Sequence, residues 1–205
     1  DAFDERSLQQ RYRKAGIMIG VLPIGKASVA GEKSAAFFWS TKPDEDAKLR
    51  SAGMTQWKDN ILSLWPECSV YLDQIGSFDD MALARYGHHT LPFPIGRHLS
   101  VIGDAAHSTS PQLGQGANMA LLDAKALAHA LHSSSDLATA LSLYASSRRG
   151  HIRSFQALSR AFTPFYQSDS RILPFIRDRL VPIISGIPPA PQLLAAMVSG
   201  TLIDP

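Results

Sequence analysis

The chain has a single cysteine, Cys68, among 205 residues. One thiol forms no intramolecular disulfide and supplies no cysteine-rich metal site, and such sparing use fits a reducing, cytoplasmic setting. An excess of charge of one sign is lacking as well. The net charge is +2, and no dense Lys/Arg stripe alternates with aromatic residues, which argues against a nucleic-acid partner. There is no basic start and no apolar signal core. The opening "DAFDERSLQQ" also lacks an initiating Met, so the chain is expected to be a piece of something longer. Residues 180–203 carry no charge, but Pro182, Pro188, Pro189 and Pro191 interrupt them, whereas a spanning helix needs about 20 continuous apolar residues. No integral membrane segment is expected, and this run is read as packing against a body.

What is present is ordinary globular material: 45% hydrophobic and 19% charged residues, with length enough to bury about 70% of the unfolded surface. "GIMIGVLPIG" (16–25) and "SAAFFWST" (34–41) are β-rich runs around the turn-prone "KASVAGEK", which predicts two neighbouring antiparallel strands. Acids at the start of "PDEDAKLRSAGMTQWKDNILSLWP" and recurrence of Leu49, Trp57, Ile61 and Leu64 predict a helix broken near Gly53 and ending before Pro66. "MALARYGHHTL" (81–91) reads as a third strand and "LSVIGD" (99–104) as a short buried one. Helices are predicted over 116–132 and over 136–162, the second stopped at Pro164, with shorter ones near 169–180 and 191–199. Strands first and helices after give an α+β class, with a boundary near residues 92–97.

The densest chemistry lies in "VIGDAAHSTSPQLGQGANMALLDA" (101–124). Asp104 ends an apolar strand, where α/β proteins bind ligands, and its two oxygens match sugar or polyol hydroxyls. Gly103 permits close approach. Gly114 and Gly116 leave backbone N–H groups bare at a helix start, a site for an anion or carbonyl oxygen. Pro111 fixes the loop and offers a flat apolar ring. A ligand with a polyol at one end and an electron-poor, oxygen-bearing ring at the other fits this corner, and flavin meets that description. The plain alternative is a strand–loop–helix corner in which Asp104 caps a turn and the glycines serve packing.

The same residues carry a family resemblance. Gly103, Asp104, Ala105, Ala106 and His107, then Pro111, Gly114, Gly116 and Asn118, fill the pattern G-D-A-A-H, P, G-x-G-x-N. It resembles the second flavin fingerprint of FAD-dependent aromatic hydroxylases, the p-hydroxybenzoate hydroxylase-like monooxygenases. "HHTLPFPIGRHLSVIGDAAH" and "RRGHIRSFQALSRAFTPFYQSDS" extend the likeness over nearly the whole chain. The resemblance implies that Asp104, beside Gly103, binds ribityl hydroxyls and that Pro111 lies by the reactive edge of the ring. It implies that backbone N–H groups around Gly116, Ala117 and Asn118 hold the pyrimidine oxygens, with Gly114 and Gln115 also binding the cofactor, while His107 is structural. It further implies FAD as cofactor, NADH or NADPH as reductant, dioxygen and an aromatic small molecule as substrates, and a possible homodimer.

Such enzymes begin with a strand–GxGxxG–helix unit and carry an Asp-Gly motif. Here Met119 follows "GQGAN", so no GxGxxG is formed, and Asp-Gly occurs nowhere. The chain is therefore read as a C-terminal half. Residues 1–95 would be part of a substrate-binding antiparallel sheet region. Residues 96–205 would hold the flavin-contacting strand–loop–helix and C-terminal helices. Alone it is expected to be inactive and to bind FAD weakly or not at all. A related halogenase or reductase, or a non-catalytic remnant, are the competing readings.

Other candidates are weaker. Strand alternation puts Ala35, Phe37 and Trp39 on one face and Ala36, Phe38 and Ser40 on the other, so Phe37 or Phe38 is a candidate substrate wall. His88 and His89, adjacent on a strand, point apart and are read as structural rather than metal-binding, and no metal is expected. Arg148, Arg149 and Arg153 are read as a solvated helix face, and Trp57 and Trp65 as helix packing.

Overall fold

The computed structural model describes residues 3–26, 28–42 and 45–199. It divides into two units, Asp1–Ala84 with Phe165–Phe175, and Arg85–Pro164 with Ile176–Pro205. The class is α+β, with one small antiparallel sheet and a helical remainder among the described residues.

In the first unit, strands β1 (Gln9–Arg13), β2 (Ile17–Lys26) and β3 (Lys33–Trp39) form an antiparallel sheet in the order β1-β2-β3. β1 escapes sequence reasoning because "QQRYR" is polar. It is held by pairing with β2 from Gln9↔Val21 to Arg13↔Ile17, and the Arg11 guanidinium covers Trp65 at 4.7 Å. Register sets the two faces. Ile19 pairs with Trp39 and Val21 with Phe37, and this face packs on the core of Trp57, Ile61, Trp65, Cys68 and Leu72.

Those core residues come from α1 (Asp46–Ala52), α2 (Met54–Leu62), a 3-10 turn at Pro66–Cys68 and α3 (Ser69–Leu72). The predicted break falls at Gly53, whose φ of 89° lets α1 end and α2 begin at one residue. Trp57 and Ile61, one turn apart, are the buried pair of α2.

The second unit holds α4 (Asp104–His107), α5 (Gly116–Ser133) and most of α6 (Leu137–Tyr166). α7 (Ile172–Ile184) and α8 (Ala190–Ser199) follow. Three expectations need correction. Residues 81–91 form no strand; the His89 and Leu91 N–H groups donate to the Ser108 and Ala106 carbonyls at 3.1 and 2.7 Å without building a ladder. Residues 99–104 form no strand; they fold back on residues 94–96 through the bridge Ile95↔Ser100 and a bond from the Val101 N–H to the Pro94 carbonyl at 2.8 Å, too short a pairing for a ladder. Pro164 does not stop α6, which runs on to Tyr166; near a helix end a proline forfeits only one bond of the closing turn.

Candidate functional site

The corner between α4 and α5 is built from backbone choices. Gly103 adopts φ 62°, ψ −147°, and precedes the single turn of α4 that begins with Asp104. Its closest neighbour is α5: a β-carbon on Gly103 would meet Ala120 Cβ at 3.1 Å. A 3-10 turn at Pro111–Leu113 follows, closed by Gly114 in the left-handed region at φ 62°, ψ 19°. Pro111 is exposed at the head of that turn, and Ser110 Oγ donates to Gln112 Oε1. Gln115 then precedes α5 without capping it through its side chain, and the first turn of Gly116, Ala117 and Asn118 contains no acid.

Asp104 is exposed, and its carboxylate takes no hydrogen bond from any described residue. It lies beside the start of α5, since a β-carbon at Gly116 would come to 3.5 Å from Asp104 Oδ1. The structure thus brings together an unspent carboxylate and a helix mouth whose N-cap residue, Gln115, makes no side-chain cap bond. Such a pairing suits a ligand carrying both hydroxyls and acceptor oxygens.

Behind this surface lies a buried polar cluster. Asp123 Oδ2 accepts from the Gly103 N–H at 2.9 Å and lies 2.5 Å from His107 Nε2, while Oδ1 accepts from Arg148 Nε at 2.8 Å. Arg148 Nη1 reaches His151 Nδ1 at 2.7 Å. Burial by itself would raise the Asp123 carboxyl, but bonds from His107, the Gly103 amide and Arg148 outweigh it and hold the group below the usual carboxylate range. Tyr144 is pushed up to about 12, by burial first and by the Asp123 charge second.

Arg148 corrects an expectation: it is 7% exposed and ion-paired, whereas Arg149 and Arg153 are exposed. The missed signal is its spacing, on one buried stripe of α6 with Tyr144, His151 and Phe155. His107 is 4% exposed and bonded to Asp123, in line with a structural part. His88 Nε2 meets Ser159 Oγ at 2.9 Å, and its proton affinity is lowered, mainly by burial and then by Arg160. Among the described residues no group of His, Cys, Asp and Glu is placed to hold a metal ion.

In the first unit, Phe37 belongs to the core, edge-on to Trp57 and stacked with Tyr71. Phe38 lies on the opposite face over Gly20, where Tyr12 OH donates to Gln10 Oε1 at 3.1 Å. A cleft of about 450 Å³ opens on the helix side between Phe3, Val21, Ala35, Val70 and Tyr71, and neither phenylalanine lines it.

The profile of the FAD binding domain family matches residues 30–157, more than half of the sequence. The chain belongs to the FAD binding domain family. It is 32% identical over 120 residues to a putative 2-heptyl-3-hydroxy-4(1H)-quinolone synthase, AqdB1, of Rhodococcus erythropolis, covering 57% of this chain and 30% of that protein. It is 32% identical over 117 residues to a 3-(3-hydroxy-phenyl)propionate/3-hydroxycinnamic acid hydroxylase of Burkholderia cenocepacia, covering 54% and 21%. The chain therefore spans less than a third of these curated relatives. Klebsiella pneumoniae HpxO, solved with FAD and uric acid, superposes with a TM-score of 0.69 over 99% of this chain and 51% of HpxO. At 20% identity that shows a shared fold. Among the described residues no helix is long and apolar enough to cross a membrane.

Proposed function

We propose that this chain is the C-terminal half of an FAD-dependent monooxygenase that uses NAD(P)H and dioxygen to hydroxylate an aromatic or related small organic substrate. The observation that carries the reading is the exposed Asp104 carboxylate, without a partner among the described residues, set beside Gly116 at the start of α5. These residues fit a flavin. Asp104 would hold the ribityl hydroxyls. The leading amides of α5, at Gly116, Ala117 and Asn118, would hold the pyrimidine oxygens, and Gly114 and Gln115 would shape the approach to them. Pro111 would offer the ring an apolar contact. Bound FAD supplies the redox and oxygen chemistry, with NADH or NADPH as reductant.

The protein supplies position and charge. The positive pole of α5 favours negative charge at the pyrimidine edge by about 0.3–1 kcal/mol, and up to about 2 where partly buried. Phe38 is the better candidate for an apolar substrate wall, because Phe37 is already committed to the core.

The test uses the intact flavoprotein. Asp104→Ala should lose FAD on gel filtration, and the unmodified protein should oxidise NADH or NADPH faster with one member of a panel of phenols and heteroaromatics. Hydrogen peroxide, measured alongside, reports uncoupled turnover. Retention of FAD by Asp104→Ala, or a rate that no substrate raises, would overturn the reading.

A further inference from the structure

One buried carboxylate on α5 reaches both ends of the turn that presents Asp104. Asp123 Oδ2 accepts the Gly103 N–H at 2.9 Å, just before α4, and lies 2.5 Å from Nε2 of His107, the last residue of α4. Its other oxygen takes Arg148 Nε of α6 at 2.8 Å. Asp123 is wholly buried, and Arg148 nearly so. Arg148 is braced in turn by His151 at 2.7 Å; a guanidinium only donates, so His151 must present a lone pair at Nδ1. Gly103 itself, at φ 62°, ψ −147°, has a conformation with no preference of its own to hold it there.

We propose that Asp123, held by Arg148, is a positioning residue for the cofactor corner: it clamps Gly103 and His107 and thereby aims the Asp104 carboxylate at the first turn of α5. The inference rests on the flavin reading given above. Stability alone is a poor reason for this arrangement. A buried ion pair is often matched or bettered by apolar side chains of equal volume, whereas directional bonds from one carboxylate to both ends of a single turn fix a geometry. Neither Asp123 nor Arg148 needs to touch the ligand for this; each acts through Gly103 and α4.

The test measures two things in the intact protein: FAD affinity by fluorescence titration, and hydrogen exchange at the Gly103 amide. Asp123→Asn keeps the shape but puts a donor where an acceptor is needed. It should weaken FAD binding roughly ten- to a hundred-fold, the range set by a buried polar group left unpaired. It should also speed exchange at Gly103 and shift the visible absorption of bound flavin. Arg148→Lys, which keeps the charge, should recover most of the affinity relative to Arg148→Met, and the exposed Arg149→Gln should match wild type. Folded Asp123→Asn with wild-type affinity and Gly103 exchange would sink the proposal. If Asp123→Asn does not fold, the Arg148 pair decides: equal affinity in Lys and Met variants overturns it. Asp104→Ala separates the two ideas. Unchanged FAD affinity there defeats the flavin reading itself, while weakening by Asp104→Ala but not by Asp123→Asn defeats only the positioning role.

Discussion

The ring of Phe38 fills the space in which a β-carbon of Gly20 would stand: added there, that atom would lie 2.0 Å from Phe38 Cζ. The two residues are direct cross-strand partners on β2 and β3. An aromatic ring laid over a glycine restores packing that the glycine lacks, and it makes each residue the condition for the other.

Gly20→Ala should therefore destabilise the fold by about 1–3 kcal/mol, the usual cost of forcing extra carbon into a filled site. In a Phe38→Ala background the same change should cost much less. Denaturant midpoints of the four proteins check this, and additive effects would contradict the contact.

The two glycines of the α4–α5 corner should behave differently. Gly114 lies in the left-handed region with open space around it, which Asn tolerates, so Gly114→Asn should cost no more than about 1 kcal/mol. Gly103 combines positive φ, ψ −147° and the Ala120 contact at 3.1 Å, so Gly103→Ala should cost about 1–3 kcal/mol or more. Thermal melts at one pH suffice for the comparison.

Asp123 predicts a particular response to acid. Its carboxyl is held low in the folded protein, so its contribution is fully present above the unfolded value of about 3.9 and is lost as pH falls through the folded value. Unfolding free energy measured from pH 7 downward should drop in that acid range. Asp123→Asn should start lower and lose less over the same interval.

Cys68 is fully buried, and its thiol is pushed up to about 11, chiefly by burial and secondarily by the Glu67 charge. A thiol reagent at pH 8 should modify it only as the first unit opens, with a rate that follows denaturant concentration. Because the folded pKa is raised, the contribution of Cys68 is complete below the unfolded value near 8.5 and fades as pH climbs toward 11. Rapid labelling in native buffer would contradict the burial.

The sequence made β2, β3, the α1–α2 break and α5 legible, because in each a local signal agrees with packing: Ile19 and Val21 alternate into the core, and Gly53 must break the helix. The glycine and proline chemistry of residues 103–118 was equally plain. Illegible were features decided by neighbours far along the chain. β1 has polar residues throughout and depends on pairing with β2. Residues 81–91 alternate like a strand, yet their amides answer to Ser108 and Ala106. Arg148 looks solvated until Asp123, on another helix, supplies its counter-charge.

Gln156 holds that same loop. Its Nε2 donates to the His89 and Ser108 carbonyls at 3.0 and 2.9 Å, while its Oε1 is buried with no partner among the described residues. Two carbonyls demand two N–H bonds, so the amide cannot flip, and a carboxylate would set like against like at the same spot. The stitch between these chain segments is thus directional: a side chain of identical outline but reversed polarity would push them apart.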